Sequence, residues 1–417
     1  MIKEDKESIT FIEKIILWMF VMDLLIGKWI FNISENRYIY SIIIVYFIYM
    51  FITKKYNIEK SDLISITIIV VILYINILVN GKNGNFFSYG ILFGVGNLLI
   101  IKFFIQLFQS NRRYMKEVFI VKLRKVFNGY FWINSIVMYK QLNGTYFLMR
   151  HYQNNPMYED HITGFIGASG THRLTLFWIA LIVFNINYYL DSKRKATLLT
   201  VIIQLIYMII MSAYNDNTIF YVLMPLILVE VYGIRLVKKI GIKKLFLVVV
   251  ATIFFINTFN YLKTVNVEVD SFLSTRVSEK ICQLANSEDE NIDDEERIEL
   301  LKYSLKYGNG YKFGVGIGSV SYSDSRLSRH FGMSEISIKT YEGGLIYLFE
   351  LILLYSTYMY ILICRRNSIR SKIILFIIVF FNILMMASYT QIFRIPQLIE
   401  GMVLIAIGID MGERKLV

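Results

Sequence analysis

The alternation of apolar and polar positions divides the chain into twelve apolar runs: 11–27, 37–53, 62–79, 86–109, 126–141, 172–190, 196–213, 216–233, 243–262, 341–363, 373–390 and 396–409. Crossing a hydrocarbon core of roughly 30 Å takes about 20 helical residues, and runs of about that length recur from end to end. They predict an all-α, polytopic integral membrane protein of about twelve transmembrane helices, a single membrane domain over 1–417. The fifth run is the most interrupted, by Asn128, Asn134 and Lys140. Two connections are long: 141–171, and 263–340 between the ninth and tenth spans. Both fall on the same face, and long connections in compact proteins tend to carry function, so that face is the predicted working surface.

The large loop has readable structure of its own. Acidic residues Glu288 to Glu290 and Asp293 to Glu296 precede Arg297, and Lys302 and Lys306 come before Gly308. Acids in the first turn, bases in the last and a closing glycine predict an amphipathic helix over about 294–307. Ile298, Leu301 and Leu305 form its apolar stripe, with Arg297 on the flank. Gly314-Val-Gly-Ile-Gly-Ser319 then forms a tight glycine-rich turn. It lacks the strand and following helix of a dinucleotide site, which excludes that chemistry.

Composition agrees with the pattern. At 56% hydrophobic and 18% charged residues, the chain has too little polar surface to cover a core in water. The net charge of +12 sits in alternate short connections, around Lys54–Lys60, Arg112–Lys125, Lys193–Lys195, Arg235–Lys244 and Arg365–Lys372. With twelve spans those connections share one side, which the positive-inside rule makes the cytoplasm. Both termini then face inward, and nucleic-acid binding is not indicated. Removing the fifth run would put Asp191–Lys195 on the opposite side and break the agreement.

Cys282 and Cys364 fall on opposite sides of the membrane, so no disulfide is expected, and no Cys/His spacing suits a metal. Residues 1–10 are too acidic for a signal peptide, so the first run is read as a retained span. Few ionisable residues fall in the spans: Asp23, Lys28, Lys102, Glu230 and Glu350. That argues against a proton-coupled transporter.

The outer face, by contrast, carries Arg150, His151, His161, His172, Arg173, Arg276, Arg297, Arg326, Arg329, His330 and Arg394. A guanidinium is a permanent, forked donor matched to phosphate oxygens, so this excess points to an anionic ligand. Arginines beside spans also serve as interfacial anchors, and those of loops as solvated surface.

The stretch Gly164-Phe-Ile-Gly-Ala-Ser-Gly-Thr-His-Arg-Leu-Thr-Leu-Phe-Trp178 opens a span. Much later come Arg297, Lys306-Tyr-Gly-Asn-Gly-Tyr-Lys-Phe-Gly-Val-Gly-Ile-Gly-Ser319, His330 and Tyr341-Glu-Gly-Gly-Leu-Ile. In order and sidedness this resembles the bacterial O-antigen and capsule polymerases of the Wzy type, and their relatives the O-antigen ligases. The resemblance covers the span plan and about a third of the chain in motif terms.

It implies a metal-independent glycosyltransferase without cofactors, acting on polyprenyl-pyrophosphate-linked oligosaccharide at the outer face of the bacterial cytoplasmic membrane. Membrane lipids, and polysaccharide-assembly proteins such as a flippase or chain-length regulator, would be its partners. By resemblance, Arg297 and Arg173 match pyrophosphate-handling arginines, and His330 matches the residue that activates the acceptor. The chain has His330-Phe331 where the family commonly has His-Asn, and an aspartate or glutamate of the loop could equally serve as base. Arg276, Arg394, Gly316 and Gly318 complete the expected substrate-binding set. A flippase or exporter of the same lipid-linked units, and an O-antigen ligase, are the alternatives.

Overall fold

The structure, a computed structural model, describes residues 9–31, 38–53, 59–80, 84–111, 114–149, 161–168, 170–215, 217–228, 300–322, 334–363 and 369–413. Among these residues the regular structure is all helical, with no strand. The elements are α1 (Phe11–Met22), a π-helical turn (Asp23–Gly27), α2 (Lys28–Phe31), α3 (Tyr38–Ile52), α4 (Lys60–Asn80), α5 (Gly84–Ser110), a second π-helical turn (Met115–Phe119) and α6 (Ile120–Gln141). There follow α7 (Thr171–Ser192), α8 (Lys195–Tyr214), α9 (Thr218–Leu228), α10 over 300–306, α11 (Ser319–Tyr322), α12 (Glu335–Ile363), α13 (Ile369–Tyr389) and α14 (Pro396–Glu413). Helices therefore stand where eleven of the twelve apolar runs predict them; 243–262 lies outside the described residues.

Among the described residues, five helices are long and apolar enough to cross a membrane: Lys60–Asn80, Gly90–Phe108, Thr171–Ser192, Lys195–Tyr214 and Glu335–Leu362. Side chains such as Ile64, Val71, Leu78 and Val79 of α4, or Leu199 and Ile206 of α8, stand exposed along whole helix faces. Apolar stripes of that extent are unstable in water, and lipid is the solvent that suits them. This is a membrane-embedded helical protein.

The described residues form two compact units. One comprises those within Met1–Lys125 and Ile292–Ile407, the other those within Val126–Asn291 and Gly408–Val417.

In the second unit α7 is the central helix, its face buried from Leu174 to Phe184 against α8 and α9. The asparagines that interrupt the fifth apolar run explain themselves here. Asn128 donates to Asn185 Oδ1 (2.9 Å), Asn185 to Gln204 Oε1 (3.0 Å), and Gln204 back to Asn128 Oδ1 (3.0 Å). Such closed amide networks join helices in lipid, where an unpaired amide is costly. Asn134 accepts from Phe165 N–H and donates to Thr163 O, and Gln141 Oε1 accepts from Gly164 N–H. The polar positions of α6 thus hold the segment that leads into α7.

In the first unit α3 and α4 both pack on α5, and α12 packs on α5 and α13. Thr10 and Glu13 form a capping box that starts α1, and Glu13 Oε1 also accepts from Tyr46 OH (2.9 Å). Polar groups gather at the two ends of this unit, and one end holds most of the chemistry.

Candidate functional site

The site lies where α4 ends and where α5, α12 and α14 begin, and it depends on a broken helix. Within α12, Gly344 has φ 76° and ψ 174°, a conformation essentially confined to glycine. In an unbroken helix Tyr341 O and Glu342 O would accept from the amides four residues on. Here they accept instead from Val315 N–H (2.9 Å) and Gly316 N–H (3.0 Å), while Leu345 N–H donates to Gly310 O (2.8 Å). The segment 308–318 is thus laced into the gap on both sides. A Cβ on Gly344 would collide with the Lys312 carbonyl, which is why the crossing needs glycine there.

Asn76 of α4 locks the crossing from the other side. Its amide donates to Phe313 O and to Glu342 O (3.3 Å), and its carbonyl accepts from Ile317 N–H (2.9 Å). The Asn76→Leu variant strands Phe313 O and the Ile317 amide in a buried environment, at about 1–3 kcal/mol each. A lowered unfolding midpoint in detergent is expected, and an unchanged midpoint would refute the lock.

Beside the crossing lies a charge cluster. Glu335, Lys339 and Glu342 share one face of the first half of α12, with exposures of 0%, 1% and 0%. Lys339 Nζ stands 3.4 Å from Glu335 Oε1 and 3.0 Å from Glu342 Oε2, and Glu342 Oε1 accepts from Val320 N–H (3.3 Å). Arg394, in the turn between α13 and α14, acts electrostatically on Glu335. That turn is held by Glu335 N–H donating to Thr390 O (3.2 Å) and by Asn97 Nδ2 donating to Phe393 O (3.0 Å). At the same end Tyr38 OH donates to buried Asp23, and the charge of Glu400 also reaches Tyr38.

The helix predicted over about 294–307 is present over 300–306. Ser304, buried and donating to Ser337 O (2.9 Å), anchors it beside half-buried Leu300, Leu301 and Leu305.

Of the residues expected from sequence, Gly316, Gly318 and half-buried Arg394 belong to this end of the first unit. The amide of Gly316 is committed to Glu342 O, as are those of Ile317, Ser319 and Val320 to other protein acceptors. These amides are therefore turned inward, so an anion here needs side-chain donors. The positive φ values of Gly316 (120°) and Gly318 (84°) give both glycines a conformational reason for their positions. Arg173 belongs to the second unit, in the first turn of α7, where it is 3% exposed and acts electrostatically on Tyr130. Arg276, Arg297 and His330 lie outside the described residues.

Glu335, Lys339 and Glu342 were missed as site residues. Their spacing, i to i+4 and i+3 on one helix, is an ion-pair signal legible in sequence. The expected boundary between the 263–340 loop and the 341–363 run divides the cluster, with Glu335 and Lys339 on the loop side and Glu342 on the span side. The expectation of few ionisable residues in the helices is also corrected, since Glu13, Asp62, Glu335, Lys339, Glu342 and Glu400 are buried as well. Among the described residues no group of three metal-ligating side chains gathers. Compared with protein-family models and with curated proteins, the chain finds no match.

Proposed function

We propose that the protein is a membrane glycosyltransferase that polymerises polyprenyl-pyrophosphate-linked oligosaccharide units into a capsular or O-antigen-type polysaccharide. It would act at the outer face of the bacterial cytoplasmic membrane, as a twelve-span protein with both termini inside. The observation that carries this most is the water-poor charge cluster at the broken helix, with Glu335, Lys339, Glu342 and Arg394 held on rigid elements.

The chemistry asks for such a mixture. An acceptor sugar hydroxyl forms a bond to the anomeric carbon of the donor unit, and the bond from that carbon to the pyrophosphate oxygen breaks. The bonding electrons leave with the lipid pyrophosphate, and the hydroxyl proton passes to a base, His330 or a loop carboxylate. Guanidiniums such as that of Arg394 stabilise the growing negative charge, most strongly where water is excluded; roles for Arg173 and Arg297 rest on the resemblance alone. Carboxylates suit sugar hydroxyls and the positive charge that builds on the anomeric carbon. Gly316 and Gly318 shape the turn against which the substrate would lie.

A flippase or exporter of the same units is favoured by one specific observation. Buried ionisable groups occur at both ends of the first unit, and Glu350 lies buried midway along α12 with neither carboxyl oxygen hydrogen-bonded among the described residues. Intramembrane charges of this kind mark substrate or ion pathways.

Deletion in the native host separates the two. Gel analysis is expected to show loss of the high-mass glycan ladder with single repeat units still reaching the surface. Accumulation of inward-facing lipid-linked units instead would refute polymerisation and support the flippase. Arg394→Ala, Arg297→Ala and Arg297→Lys are each expected to cut polymer at least about tenfold, about 1.4 kcal/mol of lost stabilisation, at unchanged membrane abundance. Normal polymer from any of these variants would remove that arginine from the site.

A further inference from the structure

At the opposite end of the first unit a cavity of about 270 Å³ lies between α3 and α4, with α5 as its floor. Its rim residues Ile48, Phe51 and Leu63 are 53%, 58% and 52% exposed, so it opens sideways between the two helices. In a membrane-embedded protein that opening faces lipid. Water does not fill an apolar cavity of this kind, whereas an acyl chain of the surrounding lipid that fills it supplies the packing contacts an empty cavity lacks.

One edge of the cavity is polar. Lys102 Nζ lies 2.9 Å from Asp62 Oδ2 and 3.3 Å from Glu59 Oε2, and Tyr358 OH donates to Asp62 Oδ1 (3.0 Å). Lys102 and Asp62 are buried, but the Glu59 side chain is 60% exposed. Two carboxylates thus share one buried ammonium. The exposed one retains attraction for a further cation, and Lys60, exposed at the start of α4, supplies a positive charge next to it.

We infer that this cavity is a lipid-binding site for a phospholipid with a primary-amine headgroup. One acyl chain occupies the cavity, the headgroup ammonium donates to Glu59, and the phosphate lies toward Lys60. An apolar slot alone would take any lipid chain; the Glu59 carboxylate selects the amine. This site is independent of the glycan chemistry at the other end of the unit.

The test is native mass spectrometry of the full chain released from nanodiscs of equal phosphatidylethanolamine and phosphatidylglycerol. The unmodified protein is expected to retain phosphatidylethanolamine over phosphatidylglycerol by about tenfold, about 1.4 kcal/mol of preference. Val95→Trp, which fills the cavity floor, should lower retention of both lipids. Glu59→Gln, an exposed change that leaves the core intact, should keep lipid bound and abolish the preference. Equal retention of the two lipids by the unmodified protein, or an undiminished preference in Glu59→Gln, overturns the headgroup assignment. Undiminished retention in a folded Val95→Trp variant overturns the cavity as the site, and if that variant does not fold, Glu59→Gln still decides.

Discussion

Replacing Lys339 by methionine is expected to destabilise the protein by about 3–5 kcal/mol, the penalty for removing one partner from a buried ion pair. The stem of the side chain is retained, so packing changes little. What is lost is the ammonium between Glu335 Oε1 and Glu342 Oε2, two carboxyls with essentially no exposure of their own. Desolvated carboxylates cannot recover that interaction from water. Thermal unfolding in detergent should show a much lower midpoint and poorer recovery of folded protein. The double variant Lys339→Met with Glu342→Gln supplies the control, because the glutamine oxygen can still accept from Val320 N–H and one buried charge is gone. It should be less damaged than the sum of the single changes. Strict additivity would mean that the charges are not coupled, and the account of the cluster would fall.

The second large effect is expected at Gly344. An alanine there must adopt φ 76° and ψ 174°, which costs about 1–3 kcal/mol in backbone strain. Its Cβ also meets the Lys312 carbonyl, and overpacking adds about 1–3 kcal/mol more. The chain can escape only by withdrawing the 308–318 segment, which severs the bonds from Val315 and Gly316 to Tyr341 O and Glu342 O. Gly344→Ala should therefore lose stability and polymer together. Gly129→Ala in α6, where an added Cβ meets nothing within 4 Å, should be neutral or slightly stabilising. Equal behaviour of the two variants would sink the claim that the helix break is required.

Much of the helical plan was legible in advance. Apolar runs of the right length announce helices because lipid leaves the backbone no other economical way to pair its hydrogen bonds. Less legible was the status of polar residues. Asn128 and Asn134 read as blemishes in the fifth run, yet they are bonded to Asn185, Gln204, Thr163 and Phe165, partners distant in sequence. The candidate site was half visible. The glycine-rich turn and Arg394 stood out as motif and charge, but Glu335 and Lys339 lay in a stretch assigned to a loop, and Glu342 just inside the tenth apolar run.

By itself the sequence determined that the chain is helical and lives in a membrane, because composition and run length depend on local residue order alone. Its charge bias set the expected sidedness on the same local basis. Only the tertiary structure decided that 308–318 crosses a broken α12, that Asn76 secures the crossing, and that Gly316 spends its amide on Glu342. Those features arise from pairings between residues more than two hundred positions apart, or between a loop and a helix gap, and no periodicity records them.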